Sequence, residues 1–317
     1  MPCALLGLAP ASRADRIERR ALPFSGIGDY EENMATEAGQ TDYTWDGKRG
    51  EKWASKLAET EAMLAPLDAP LLDAARLDGP CRVADIGSGG GATTRAIADR
   101  APKGSVVHGY DISPALVDIA KQRSAARGAL APLDFFVADA QSTPAPSTPY
   151  DRLVSRFGVM FFADPAAAFS NLATWLGRGG RLAFAVWGPH ADNQWFMKSR
   201  DAVNEVVAVP KPEPDTPGPF RYADVKPLVA LLERAGLGDI RVDDWHGSLA
   251  IGGGLPAPAA AALAIDSFGG FSELLAEAGG DARERATKGL EARLAGHVRD
   301  GIFSLPCAAH IVTAVRA

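Results

Sequence analysis

Cysteine is scarce in this chain. Three thiols, Cys3, Cys81 and Cys307, are spread over 317 residues with no CxxC spacing. An odd, scattered set of this kind argues against a disulfide framework and a zinc site, and it fits a reducing, cytoplasmic setting. A surplus of positive charge is also missing. Lys and Arg number 33 against 39 Asp and Glu, giving a formal net charge of -6 and a pI of about 5.5. Phosphate backbones are bound through clustered cations, so nucleic acid is not the expected partner. No apolar run reaches the roughly 20 residues of a membrane span. The early stretch CALLGLAPA (residues 3–11) is short and lacks the basic lead of a secretory signal, so no membrane is expected either.

Enough is present for a large core, since 47% of the residues are hydrophobic. Residues 1–33 mix Arg13, Arg16, Arg19 and Arg20 with small residues and with Asp15 and Glu18, and carry little periodicity. This reads as a disordered extension, with Met34 as the functional start. Residues 34–78 are read as N-terminal helices, because Trp53, Leu57, Met63, Leu64 and Leu67 recur at helical spacing. Residues 79–251 are read as the core, residues 252–300 as a helical insertion, and residues 301–317 as its last strand.

The centre of the sequence is Val83-Ala84-Asp85-Ile86-Gly87-Ser88-Gly89-Gly90-Gly91. An apolar run that breaks into glycines is the pattern of a buried parallel strand turning into a helix, with the turn open to a ligand. The design repeats twice. Ser105 to Tyr110 leads to Asp111 and the helix start Ser113-Pro114, and Leu133 to Ala138 leads to Asp139 and the Pro- and Ser-rich loop QSTPAPSTP. A strand starting at Asp151 runs to Ser155-Arg156-Phe157, Asp164-Pro165 opens another helix, and Leu176 to Gly180 reads as a tight turn before a fifth strand, Arg181 to Trp187. Helices are expected over 193–209 and 224–235, a sixth strand over 239–245, and the final strand in 302–305 and 310–315.

The ordered set VADIGSGGG, GYDIS, FVADAQ, YDRLVSRFGVMFFADP and LGRGGRLAFAVW resembles the successive motifs of class I S-adenosylmethionine-dependent methyltransferases, over roughly residues 83–187. More narrowly it is similar to the small-molecule enzymes of quinone and natural-product biosynthesis. The resemblance implies an α/β fold, a doubly wound Rossmann-like seven-stranded sheet with an antiparallel last strand, and helical cap or lid additions. It implies S-adenosyl-L-methionine as cofactor. Asp85, Gly87, Ser88, Gly89 and Gly91 would receive its amino-acid part, Asp111 its ribose, and Ile112, Asp139 and Ala140 its adenine. Arg156, at the strand mouth, is a candidate both for the cofactor and for an anionic group of the substrate. Phe157, Met160 and Trp187 are the candidate substrate wall. The loop departs from the family's habit at Ser88-Gly89-Gly90, yet stays rich in glycine.

A glycine loop followed by an acid also fits a nicotinamide-binding site. Asp85 weighs against that reading, because a carboxylate ahead of the glycines repels a pyrophosphate and holds an α-amino group by a charge-assisted hydrogen bond. The glycine at the sixth position of the dinucleotide pattern is replaced by Ala92. A cofactor-binding protein without turnover is the third reading. SRFG stands where amino-methylating DNA enzymes carry Asn-Pro-Pro-aromatic, and no acidic cluster suggests magnesium, so no metal is expected. His190 and His246, expected just past strands on the mouth side, are the candidate bases for an acceptor that arrives protonated. The insertion fits a lid over the acceptor or the interface of a homodimer. The acceptor expected is a small apolar or aromatic metabolite, methylated on O or C.

Overall fold

A computed structural model describes Trp45 and residues 48–125, 131–211, 215–267 and 270–317. The expectations for residues 1–33 and for Met34 lie outside these. β1 (Arg82–Ile86) is buried from Val83 onward, as a central parallel strand covered on both faces must be. It pairs in parallel with β2 (Val106–Asp111) on one side and β4 (Tyr150–Arg156) on the other. β3 (Leu133–Val137) extends the sheet beyond β2, and β5 (Leu176–Trp187) extends it beyond β4. β8 (Ile302–Arg316) then runs antiparallel between β5 and β6 (Leu237–Ala250). The order is β3-β2-β1-β4-β5-β8-β6. This is the doubly wound sheet with an antiparallel last strand. An eighth strand, the two-residue β7 (Val298–Arg299), pairs with β8 off this path.

Chain direction reverses its outward progress between β1 and β4, and the gap above their carboxyl ends is where open α/β sheets bind ligands. The connecting helices α4 (Ala92–Arg100), α5 (Pro114–Ala125) and α6 (Pro165–Trp175) pack on the sheet. Asp164 caps α6 by accepting from Ala167 N at 2.9 Å, with Pro165 at the first helical position. Helices at 193–209 and 224–235 are realised as the shorter α7 (Gln194–Asn204) and α8 (Lys226–Arg234).

Three strands differ from expectation. The residues read as a turn before β5 belong to the strand itself. Tyr150 pairs with Leu176 and the next partners are Arg152 and Arg181, so residues 177–180 bulge out, with Gly179 at φ +74°. β6 and β8 are longer than the sequence pattern indicates. Their pairing continues from the row Trp187–Ala309–Trp245, where β5 stops, to Ala250 and Ser304. Five further residues at about 3.4 Å each carry this ribbon roughly 17 Å past the carboxyl end of β5. The insertion hangs from its tip as α9 (Ala257–Ser267), α10 (Phe271–Ala278) and α11 (Ala282–Leu294), on the ligand-binding side of the sheet.

N-terminal helices α1 (Lys48–Ala54) and α2 (Leu57–Leu64) lie on the same side, and α3 (Asp68–Ala75) runs along β4, from Asp68 at Arg156 to Ala75, whose carbonyl accepts from Arg152 at 2.8 Å. α1 meets the insertion through Lys52, which bonds Ser272 and, at 2.7 Å, Glu273. Lys56 lies 3.8 Å from Asp266 of α9. Among the described residues no single helix is long and apolar enough to cross a membrane.

Candidate active site

The loop between β1 and α4 is held by its neighbours. Gly87 N and Ser88 N both donate to Tyr110 O, and Gly91 N donates to Ser88 O at 2.9 Å. Gly87, Gly89 and Gly91 all have positive φ, which the loop's course requires. Gly91 is also sterically fixed, since a Cβ there would lie 2.6 Å from the Phe135 ring. The loop is tied to β2 as well. Asp111 accepts from Gly89 N at 2.8 Å through one oxygen and from Ser113 N at 2.9 Å through the other, and burial raises its pKa.

Asp85 is 1% exposed. Its Oδ2 accepts from Thr94 Oγ1 at 2.6 Å, while Oδ1, also buried, has no hydrogen-bond partner. A buried acceptor without a donor is costly, so the site is poised for a donor brought by a ligand. Burial pushes the Asp85 carboxyl up to about 7. Ser88 Oγ is a second buried polar atom without a partner. A protonated amino group fits the Asp85 oxygen, and a pyrophosphate does not.

The remaining cofactor candidates fall around this centre. Ile112 is exposed at the end of β2. Asp139 is engaged in its own turn, accepting from Gln141 N at 2.9 Å and Ser142 Oγ at 3.0 Å. Ala140 is buried, and its carbonyl accepts from Asn171 of α6 at 2.9 Å. Arg156 donates through Nη1 to Asp68 at 2.9 Å and forms an ion pair with it.

Phe157 takes φ +67°, rare for an aromatic residue and a local strain that the surrounding structure holds in place. Its ring stacks on Trp187 with centroids 4.1 Å apart and planes 13° apart. Trp187 continues to Trp195 at 5.2 Å. Met160 is 1% exposed and belongs to the same hydrophobic core. His190 follows β5 in a short 3₁₀ turn and stacks on Phe220 at 4.2 Å, and burial, reinforced by Arg200, lowers its pKa and favours the neutral imidazole. His246 is placed differently from expectation. It lies inside β6, exposed and paired with Ala308, two strands beyond β5 and about 19 Å across the sheet from β1 at 4.8 Å per strand. The pattern of a strand ending near Trp245 concealed the length of the ribbon.

Four contributors were not singled out from sequence. Thr94 pins Asp85, and Asp68 pairs with Arg156. Gly158 approaches Gly87 so closely that a Cβ on it would lie 2.8 Å from Ile86 O and 2.9 Å from Gly87 Cα. Gly90 packs against Leu57 and Glu61 of α2, which brings the N-terminal helices onto the loop. Gly90 and Gly158 left a signal, the one within the glycine run and the other directly after the strand-mouth motif.

The strand order and the antiparallel β8 match the Rossmann-like methyltransferase fold, and an acid stands ahead of the glycine loop. Residues 84–184 match the methyltransferase domain family, whose cofactor is S-adenosylmethionine. Over 103 residues the chain is 34% identical to aklanonic acid methyltransferase of Streptomyces sp. strain C5, covering 32% of this chain and 46% of that protein. Over 109 residues it is 38% identical to trans-aconitate 2-methyltransferase of Streptomyces coelicolor, covering 34% and 35%. The chain thus spans about half the length, or less, of these curated relatives. A Bacillus halodurans crystal structure assigned as a methyltransferase shares the fold, with TM-score 0.51 and 18% identity over 78% of this chain and 98% of that one.

Proposed function

We propose that the chain transfers the methyl group of S-adenosylmethionine to oxygen or carbon of a small metabolite with an apolar or aromatic body. The observation that carries this reading is the unpartnered, buried Oδ1 of Asp85 just ahead of the glycine loop. It supports an amino-acid seat over a pyrophosphate cradle.

The cofactor supplies an activated methyl on a sulfonium, so the protein's work is placement and the exclusion of water. Asp85 and the glycines at 87, 89 and 91 seat the amino-acid end, Asp111 faces the ribose, and Ile112, Asp139 and Ala140 border the adenine. Phe157 and Trp187 offer a flat apolar wall at the sheet mouth, with Met160 in the same hydrophobic core. His190, held neutral close to that wall, takes the proton of an acceptor that arrives protonated. His246 is too far along the sheet to share that task. α1, α2 and the insertion close over the acceptor as a lid. Two relatives are named for acids, aklanonic acid and trans-aconitate, which makes a small organic acid the first acceptor to try.

Calorimetry with S-adenosylhomocysteine and with NADH tests the cofactor. Binding of the former alone is expected, and binding of NADH alone sinks the reading in favour of an oxidoreductase. Transfer of a labelled methyl into a metabolite extract, run beside His190→Ala, separates an enzyme from a binding protein. Label in no metabolite would leave only binding.

A further inference from the structure

Arg156 ends β4 beside the loop that follows β1, since Asp85 pairs with Val154 in the sheet and Ile86 O accepts from Ser155 at 2.6 Å. Its side chain is 8% exposed. Of its guanidinium nitrogens only Nη1 is hydrogen-bonded to a described residue, the Oδ1 of Asp68 at 2.9 Å. The same Asp68 oxygen accepts from Thr93 Oγ1 at 3.2 Å, in the first turn of α4. Asp68 is itself the first residue of α3. A buried arginine, two helix starts and the unpartnered oxygen of Asp85 therefore converge on one side of the glycine loop.

A guanidinium has five donors in a fixed fork, and one acid leaves donors to spare. The next anion to reach it is held with two-point geometry at the start of α4, where backbone N–H groups also favour negative charge. An α-amino acid carries its two charges on one carbon. An ammonium at Asp85 brings its carboxylate within a few ångströms, toward Arg156.

Resting on the methyltransferase reading, we infer that Arg156 binds the carboxylate of the cofactor's amino-acid end, and that Asp68 is the positioning residue that presents the guanidinium to it. The Arg156–Asp68 pair is then part of the cofactor seat, and Arg156 has no role in holding the methyl acceptor. Asp68 also links that seat to the N-terminal helices, because α3 continues from α2, which covers Gly90.

The test compares two nucleosides by calorimetry. S-adenosylhomocysteine has the amino-acid end, and 5′-methylthioadenosine lacks it. Arg156→Met should weaken the first by about 10- to 100-fold, the range of a charge-assisted hydrogen bond, and leave the second within about twofold. Arg156→Lys, which keeps the charge and loses the fork, should lie between. Asp68→Asn should weaken S-adenosylhomocysteine by about 3- to 10-fold and spare methylthioadenosine. Equal losses for both ligands would assign the pair a structural role and overturn the inference. Tighter binding by Asp68→Asn would also overturn it, because Asp68 would then be competing with the ligand. If the unaltered protein binds neither nucleoside, the methyltransferase reading fails and takes this inference with it.

Discussion

Asp85 sets a pH dependence of both stability and binding. Burial keeps its carboxyl protonated up to about pH 7, whereas the unfolded chain releases that proton near the ordinary value of 3.8. Between about pH 4 and 7 the folded state thus binds more protons than the unfolded one, and stability contributed by this group falls as pH rises through that window. An ammonium ligand reverses the preference, because it requires the carboxylate. Affinity for S-adenosylhomocysteine should therefore fall below pH 7, approaching tenfold per unit, with a proton released on binding. Calorimetry in buffers of different ionisation enthalpy checks this. Asp85→Asn should bind weakly at every pH and release no proton, and an unaltered pH profile in that variant would remove Asp85 from the seat.

Among elements, the glycine loop and the end of β4 form one unit. Ser155 donates to Ile86 O, and Gly158 lies against Gly87 with no room for a methyl group. The obstructing atoms are backbone, which cannot swing aside. Gly158→Ala should cost about 1–3 kcal/mol in denaturant unfolding and displace the loop, with cofactor affinity falling in parallel. Gly89→Ala is the useful contrast, because nothing lies within 4 Å of its Cβ position and only its positive φ opposes the change. Equal stability losses in the two variants would show that close approach is not what fixes Gly158.

At this scale the legibility of the sequence also divides. Strand ends and the glycine loop were readable because each is written locally, as an apolar run meeting an acid or a glycine. The bulge at residues 177–180 was not, because Gly-Arg-Gly-Gly has the composition of a turn and only pairing with Tyr150 and Arg152 places it inside β5. Asp68 and Thr94 were hidden for the same reason. Their meaning comes from partners 88 and 9 residues away, respectively, across a fold that composition does not encode. Asp139 shows the opposite case, where a residue matching a family position is also fully explained as a turn former by its bonds to Gln141 and Ser142.

For the whole molecule, the parallel half of the sheet carries the cofactor candidates and the β6–β8 ribbon carries the insertion. Trp187, where β5 ends, is the seam between them. The α/β order could be read from alternating strands and helices, while the reach of the ribbon could not, since His246-Gly247-Ser248 past Trp245 has the composition of a strand end.

Ala250 and Ser304 face each other across that ribbon. Residues 251–303 therefore leave the fold and re-enter it at neighbouring points, as a detachable cassette. A two-residue hairpin turn can join the same ends without altering the strands below. Such a shortened chain should retain most of its affinity for S-adenosylhomocysteine and lose discrimination among methyl acceptors, measured as label incorporated across a panel of acids. Loss of cofactor binding instead would mean that the cassette is structurally inseparable from the seat. If it is separable, acceptor choice in this chain can drift by exchange of one contiguous segment while the machinery for the methyl donor stays constant.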